Sequence, residues 1–185
     1  MTPTISLRNG LLSPQDVVVF DTETTGLGAT AEICQLSAVD IWGNKLFDEM
    51  IKPKGPISPE ATAVHNITDE MVADCKGIRY YWDYFNKQFI HQKLVVGYNV
   101  MFDFRMLIQS LNIADPEYAN TRWMTPAMII DLLQVVVLKN NPTKWPKLTS
   151  LALVMGVSLP DPEMFHNSLY DCKITAACLR ETIMF

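Results

Sequence analysis

Four apolar residues in a row, Val17-Val18-Val19-Phe20, run directly into Asp21-Thr22-Glu23-Thr24-Thr25-Gly26, and no other stretch constrains the chain as much. An unbroken β-branched and aromatic run suits a central strand covered on both faces. Asp21 and Glu23 stand immediately behind it. In extended chain, residues i and i+2 project to the same side, so both carboxylates leave the strand's carboxyl end together. Two such charges resist ionising side by side unless a cation lies between them. By itself an Asp-x-Glu is more often a pair of solvated acids at a loop edge. Gly26 then lets the backbone turn sharply towards a ligand.

Further elements follow in mixed order. Residues 32–41 and 45–51 carry strand-like runs around a hairpin turn at Trp42-Gly43-Asn44. Ser58 reads as an N-cap with Pro59 in the first helical position, and Thr68-Asp69-Glu70 opens a second short helix. Tyr80 to His91 has helical spacing. Leu94-Val95-Val96-Gly97 is a second buried strand, and Val100 to Leu111 is a helix with Phe104, Leu107, Ile108 and Leu111 as its apolar stripe. Residues 126–139 fit either one long helix or a strand at 128–130 with Asp131 capping a helix behind it. Leu148–Met155 and Leu169–Met184 close the chain as helices. The pattern predicts an α/β fold, a mixed sheet with helices on its faces.

At 185 residues and 49% hydrophobic, the chain is one ordinary domain, with residues 1–15 as an N-terminal arm and 16–185 as the domain proper. The net charge of −5 argues against a passive basic coat for nucleic acid, but not against an enzyme that binds cations first. No stretch approaches about 18 consecutive apolar residues, so no membrane span is expected. Four cysteines without a Cys-x-x-Cys pair read as small buried hydrophobes in a reducing cytoplasm.

Asp103 precedes Phe104 of the helical stripe and so borders the core, with Asn99 four residues earlier on the same face. Asp171 heads the stripe of the last helix. His166, five residues before it, belongs on a loop, because five helical steps of about 100° would turn the two side chains apart. Each signal is weak singly. Together they form an ordered set of four carboxylates and a histidine, with no thiolate cluster, which suits the hard cations Mg²⁺ or Mn²⁺.

The segments FDTETTGL (20–27), YNVMFDFRML (98–107) and HNSLYDCKITAACL (166–179) resemble the DEDD-type 3′→5′ exonucleases of the His-bearing subgroup. That family includes replicase proofreading subunits, ribonuclease T and the Trex enzymes. VHNIT (64–68) and KLTSLALVMGV (147–157) are similar to its nucleotide-binding and pre-catalytic segments. The resemblance spans residues 16–182. It implies a ribonuclease H-like fold with a mixed five-stranded sheet, and a short strand at 128–131 whose Asp131 is not a ligand. It also implies that Asp21, Glu23, Asp103 and Asp171 hold two Mg²⁺ or Mn²⁺ ions, and that His166 takes a proton from the attacking water. Thr24, Leu27, His65, Asn99 and Phe102 would meet the terminal nucleotide. The implied activity is release of nucleoside 5′-monophosphates from 3′ ends, in a proofreading or repair setting. The implied partners are single-stranded or frayed nucleic acid, DNA before RNA, and a DNA polymerase. Ribonuclease T-like trimming of RNA is the alternative, and a non-catalytic polymerase-associated module is a third reading. The segment 138–149, with three lysines and no acid, is a candidate backbone rail or a solvated loop.

Overall fold

The Val17–Phe20 run becomes a central strand, and the strand continues through the acids. In the computed structural model, which describes residues 5–7, 10–119, 126–135, 146–161 and 164–183, it spans Val17–Thr24. Ahead of it, β1 (Ile5–Leu7) and β2 (Gly10–Leu12) pair as an antiparallel hairpin, so part of the arm is ordered as a small sheet of its own. The main sheet uses β3 (Val17–Thr24), β4 (Ile33–Asp40), β5 (Lys45–Met50), β6 (Leu94–Gly97) and β7 (Met128–Asp131), in the order β5-β4-β3-β6-β7. β3, β4 and β5 are antiparallel neighbours, whereas β6 runs parallel to β3 and β7 parallel to β6. This is the mixed five-stranded sheet. The strand at 128–131 is present, with helical residues at 132–135 behind it.

Alternation along β3 divides the core in two. Val18 and Phe20 pack with Trp82, Phe85, Phe104 and Leu107 from the helices Ile78–Phe85 and Val100–Ala114. Val17 and Val19 pack on the opposite face with Cys172, Ala176 and Leu179 of the helix Ser168–Ile183. Phe20 meets the Phe104 and Phe85 rings edge-on at 5.2 and 6.1 Å, geometries favoured by ring quadrupoles. Period-2 alternation then carries Asp21 and Glu23 onto the face of the last helix, and Thr22 onto the face of the 100–114 helix. The apolar run stops at Phe20, but the ladder does not. Asp21 pairs with Ser37 and Glu23 with Gln35 of β4, and a bulge follows between Glu23 and Thr24.

Other boundaries shift. The 80–91 helix starts at Ile78 and closes in a π-turn over Asn86–Ile90. In the 100–114 helix, Met106 and Ser110 are buried while Ile108 is only half-buried, so its core face is rotated from the expected stripe. Cys34, Cys172 and Cys178 are buried, but Cys75 is half-exposed. Of the lysine-bearing segment 138–149, residues 138–145 lie outside the described residues, as does the end of the last helix at Met184.

At the end of β6, Gly97 packs tightly between the neighbouring strand β3 and the start of the next helix. A Cβ there would stand 2.7 Å from Val100 Cγ2 and 3.1 Å from the Phe20 carbonyl oxygen, so the residue must lack one for β6 to end beside the acids. Gly97→Ala is expected to cost about 1–3 kcal/mol by overpacking, and to lower the melting temperature by about 2–10 °C. A thermal melt with unchanged midpoint would show that Val100 simply gives way.

Candidate metal centre and active site

Two residues on one strand and one on the last helix converge. Oxygens of Asp21, Glu23 and Asp171 all lie within 4.8 Å of one another. β3 supplies the first two from one face, and the helix Ser168–Ile183 supplies Asp171 from its first turn. Asn167 caps that helix, its Oδ1 accepting from the Tyr170 N–H at 3.2 Å.

Asp103 approaches from the other side of β3. β6 ends at Gly97, which leaves the edge of β3 without a strand partner beyond Val19. Asp103 takes that place: its Oδ1 accepts from the Thr22 N–H at 3.0 Å and the Thr22 hydroxyl at 2.6 Å. It is 3% exposed and stands outside the three-residue cluster, while still raising the proton affinity of Asp21 and Glu23 through its charge. Thr22 has no place among the sequence candidates. The alternation that pairs Asp21 with Glu23 also points the residue between them at the opposite helix.

His166 is exposed in a turn before the last helix, with φ of 65°, and its N–H donates to Asp171 Oδ2 at 3.2 Å. Asn99 is not on the helical face of Asp103. It sits ahead of the helix in the left-handed region, φ 63°, and its N–H donates to Asp131 Oδ1 at 2.9 Å. Asp131 also accepts from the Leu133 N–H at 3.1 Å, so it ties the ends of β6 and β7 together. His65 is buried. Its Nδ1 accepts from the Ile67 N–H at 3.0 Å, which leaves Nε2 as the donor to the Thr24 carbonyl, also at 3.0 Å. Burial lowers its proton affinity, consistent with a neutral ring holding two backbone segments. Thr24 is buried and its hydroxyl donates to the Gly26 carbonyl, whereas Leu27 is 79% exposed on the loop that follows. The amide of Gln109 holds that loop to the 100–114 helix through the Gly28 and Ala31 carbonyls, at 3.0 and 2.6 Å. Phe102 is half-buried against the core and carries the Arg105 guanidinium 5.2 Å from its ring centre.

A family model described as an RNase T-type exonuclease matches residues 18–179, which include all four acids and His166. The chain belongs to the DnaQ-like 3′→5′ exonuclease family. It is 32% identical over 178 residues to an exonuclease of Escherichia phage 186, covering 93% of this chain and 90% of that protein. It is also 32% identical over 170 residues to exodeoxyribonuclease 10 of Escherichia coli K12, covering 87% of this chain and 66% of that one. Among solved structures, exonuclease X in complex with 5′ overhanging duplex DNA superposes with a TM-score of 0.69 at 28% identity, over 91% of this chain and 90% of that one. The ribonuclease H-like sheet expected from the motifs is therefore the fold of the exonuclease.

The electrostatics of the carboxylate cluster favour a cation. Burial pushes every carboxyl up: Asp21 well above the carboxylate range, Glu23 to about 8, Asp103 and Asp171 to about 7. For Asp21 the charges of Asp103, Asp171 and Glu23 add to burial, and for Glu23 those of Asp171 and Asp103. The Thr22 donors oppose the rise at Asp103, and the His166 N–H opposes it at Asp171. Asp171 Oδ1 is buried without a hydrogen-bond partner. An all-oxygen set with one orphaned oxygen fits a hard divalent cation, as the divalent-metal dependence of the family requires. Cys34 offers no thiolate, since burial, then the charge of Glu23, push it up to about 12.

In metal-free protein these carboxyls hold protons that the unfolded chain releases near pH 4. The folded state is thus favoured at low pH, and stability is lost as pH rises from about 4 towards about 8. Solvent reaching Asp21 and Asp171 tempers the effect. A net loss of about 2 kcal/mol, or about 4–8 °C in melting temperature, is expected for EDTA-treated enzyme between pH 5.5 and pH 8. Mg²⁺ should restore it at pH 8. A flat profile without metal would mean that the carboxylates are not crowded in solution.

Proposed function

We propose that this exonuclease removes nucleoside 5′-monophosphates from DNA 3′ ends with two divalent cations, Mg²⁺ or Mn²⁺. The reading rests above all on the convergence of Asp21, Glu23 and Asp171 within 4.8 Å. Those three, with Asp103, are assigned to hold the ions. When bound, the pair supplies Lewis-acid stabilisation of the attacking and leaving oxygens of a phosphodiester. His166, exposed beside Asp171, is assigned as the base that accepts the water's proton.

Leu27 and Phe102 are assigned to the terminal nucleotide as apolar contacts, and Asn99 as a polar one. Thr24 and His65 act differently: their polar atoms are held by backbone, so they shape the wall of the pocket. Residues 16–185 form the catalytic domain and 1–15 its arm. DNA is favoured over RNA because the exonuclease X structure with matching fold holds duplex DNA and a 32%-identical relative is an exodeoxyribonuclease. We place the enzyme in the cytoplasm, where its four free thiols are at home.

A pocket for a terminal nucleotide cannot grip a 3′-phosphorylated or otherwise blocked end. With Mg²⁺ and labelled DNA and RNA oligonucleotides compared side by side, the expected result is mononucleotide release from open DNA 3′ ends and little from blocked ones. Cutting of a circular single strand would identify an endonuclease, and faster cutting of RNA would move the substrate class to RNA.

A further inference from the structure

Ser37 and Gln35 lie directly across the β3–β4 ladder from Asp21 and Glu23, and Asp48 lies across the β4–β5 ladder from Ser37. Residues opposite one another in such ladders share a face of the sheet. Asp21, Ser37 and Asp48 therefore form a row over three strands, on the face that meets the last helix.

The polar atoms of that row leave no choice of direction. Asp48 Oδ1 accepts from the Ser37 hydroxyl at 2.9 Å and from Gln35 Nε2 at 3.2 Å. Ser37 has one hydroxyl hydrogen, so it can only accept in its 2.6 Å contact with the Ser168 hydroxyl. Gln35 spends its amide nitrogen on Asp48 and turns Oε1 to the Ser168 N–H, at 3.4 Å. The Cys172 thiol donates to the Ser37 carbonyl at 3.5 Å. Ser37 and Ser168 are both fully buried and Gln35 is 4% exposed. Ser168 is the first residue of the helix, and Asp171 follows one turn later on the same side.

We propose that Ser37, acting with Gln35, Asp48 and Ser168, is a positioning residue that sets the reach of Asp171 to Asp21 and Glu23. Both ends of the cluster hang on one hydrogen-bond chain: the strand pair carrying two carboxylates and the helix start carrying the third. Outer contacts of this kind typically tune metal affinity about 10–100-fold. Because the chain ends on a carboxylate, the Ser37 and Ser168 hydroxyls each donate to an acceptor, and Ser168 has a single preferred location.

The assignment builds on the reading of Asp21, Glu23 and Asp171 as cation ligands. Mn²⁺ titration calorimetry without nucleic acid tests the two separately, using wild type, Ser37→Ala, Asp48→Asn and Asp171→Ala. Ser37→Ala is expected to weaken Mn²⁺ binding about 10–100-fold, while Asp48→Asn, whose amide oxygen can accept both bonds, stays within about threefold. Wild-type affinity in Ser37→Ala, alongside lost binding in Asp171→Ala, would overturn the positioning role and leave the metal site standing. Wild-type affinity in Asp171→Ala would remove the metal reading and this proposal with it. Should Ser37→Ala lose its near-ultraviolet circular dichroism, Asp48→Ala replaces it, breaking the chain at its partly exposed end. The same weakening is then expected, and unchanged affinity would again overturn the proposal.

Discussion

Asp171→Ala is expected to lower exonuclease activity by at least about 10³-fold, while the metal-free protein should melt no lower than wild type. The two effects are expected to differ because Asp171 is costly without metal and, as an assigned ligand, needed with it. Its carboxyl is half-buried, has an oxygen with no partner, and adds its charge to those that burden Asp21 and Glu23. Alanine relieves that crowding and gives up one hydrogen bond, from the exposed His166 N–H. The same change removes one of the three carboxylates gathered within 4.8 Å, so the increase in melting temperature that Mg²⁺ gives wild type should be lost. Activity within tenfold of wild type, or an undiminished Mg²⁺ effect, would refute Asp171 as a ligand. Asp171→Asn keeps an acceptor for the His166 N–H and is expected to be nearly as inactive, which assigns the loss to charge.

Much of this site is legible in the sequence, since the features that carry it are local. The run Val17–Phe20 alternates between two cores whichever partners cover it, and that alternation alone aims Asp21 and Glu23 to one side. The placement of His166 in a turn follows from helical rotation, and its φ of 65° agrees. The region 126–139 could not be resolved from periodicity, because a short apolar run fits a helix or a strand until β6 is there to pair with it. Long-range hydrogen bonds are not legible at all. Asp103 reads as a stripe-edge acid, yet its oxygen is fixed by Thr22, 81 residues away, because β6 ends before it can cover that edge. Ser37 and Ser168 are 131 residues apart and look like ordinary small residues in their own segments. A hydroxyl's importance depends on what the fold sets opposite it, and no window of the chain contains both halves.

His166→Ala is expected to cost on the order of 10²–10⁴ in kcat with Mn²⁺ affinity nearly unchanged. The histidine presents its backbone N–H, not its ring, to Asp171, and the alanine variant keeps that N–H. The carboxylate cluster is therefore expected to survive the substitution. The imidazole is exposed on a turn at the start of the last helix, free of the two backbone contacts that occupy both ring nitrogens of His65. That contrast separates the two histidines: one ring is buried as a brace, the other is exposed. The loss should therefore fall on kcat at saturating metal, while the Mn²⁺ titration of His166→Ala follows that of wild type. His65→Ala should instead lower stability, by about 1–3 kcal/mol, because the buried Thr24 carbonyl and Ile67 N–H lose their partners. A kcat within tenfold of wild type in His166→Ala would refute the ring as the base. A full loss of Mn²⁺ binding in the same variant would mean that its ring, and not only its backbone, holds the cluster together.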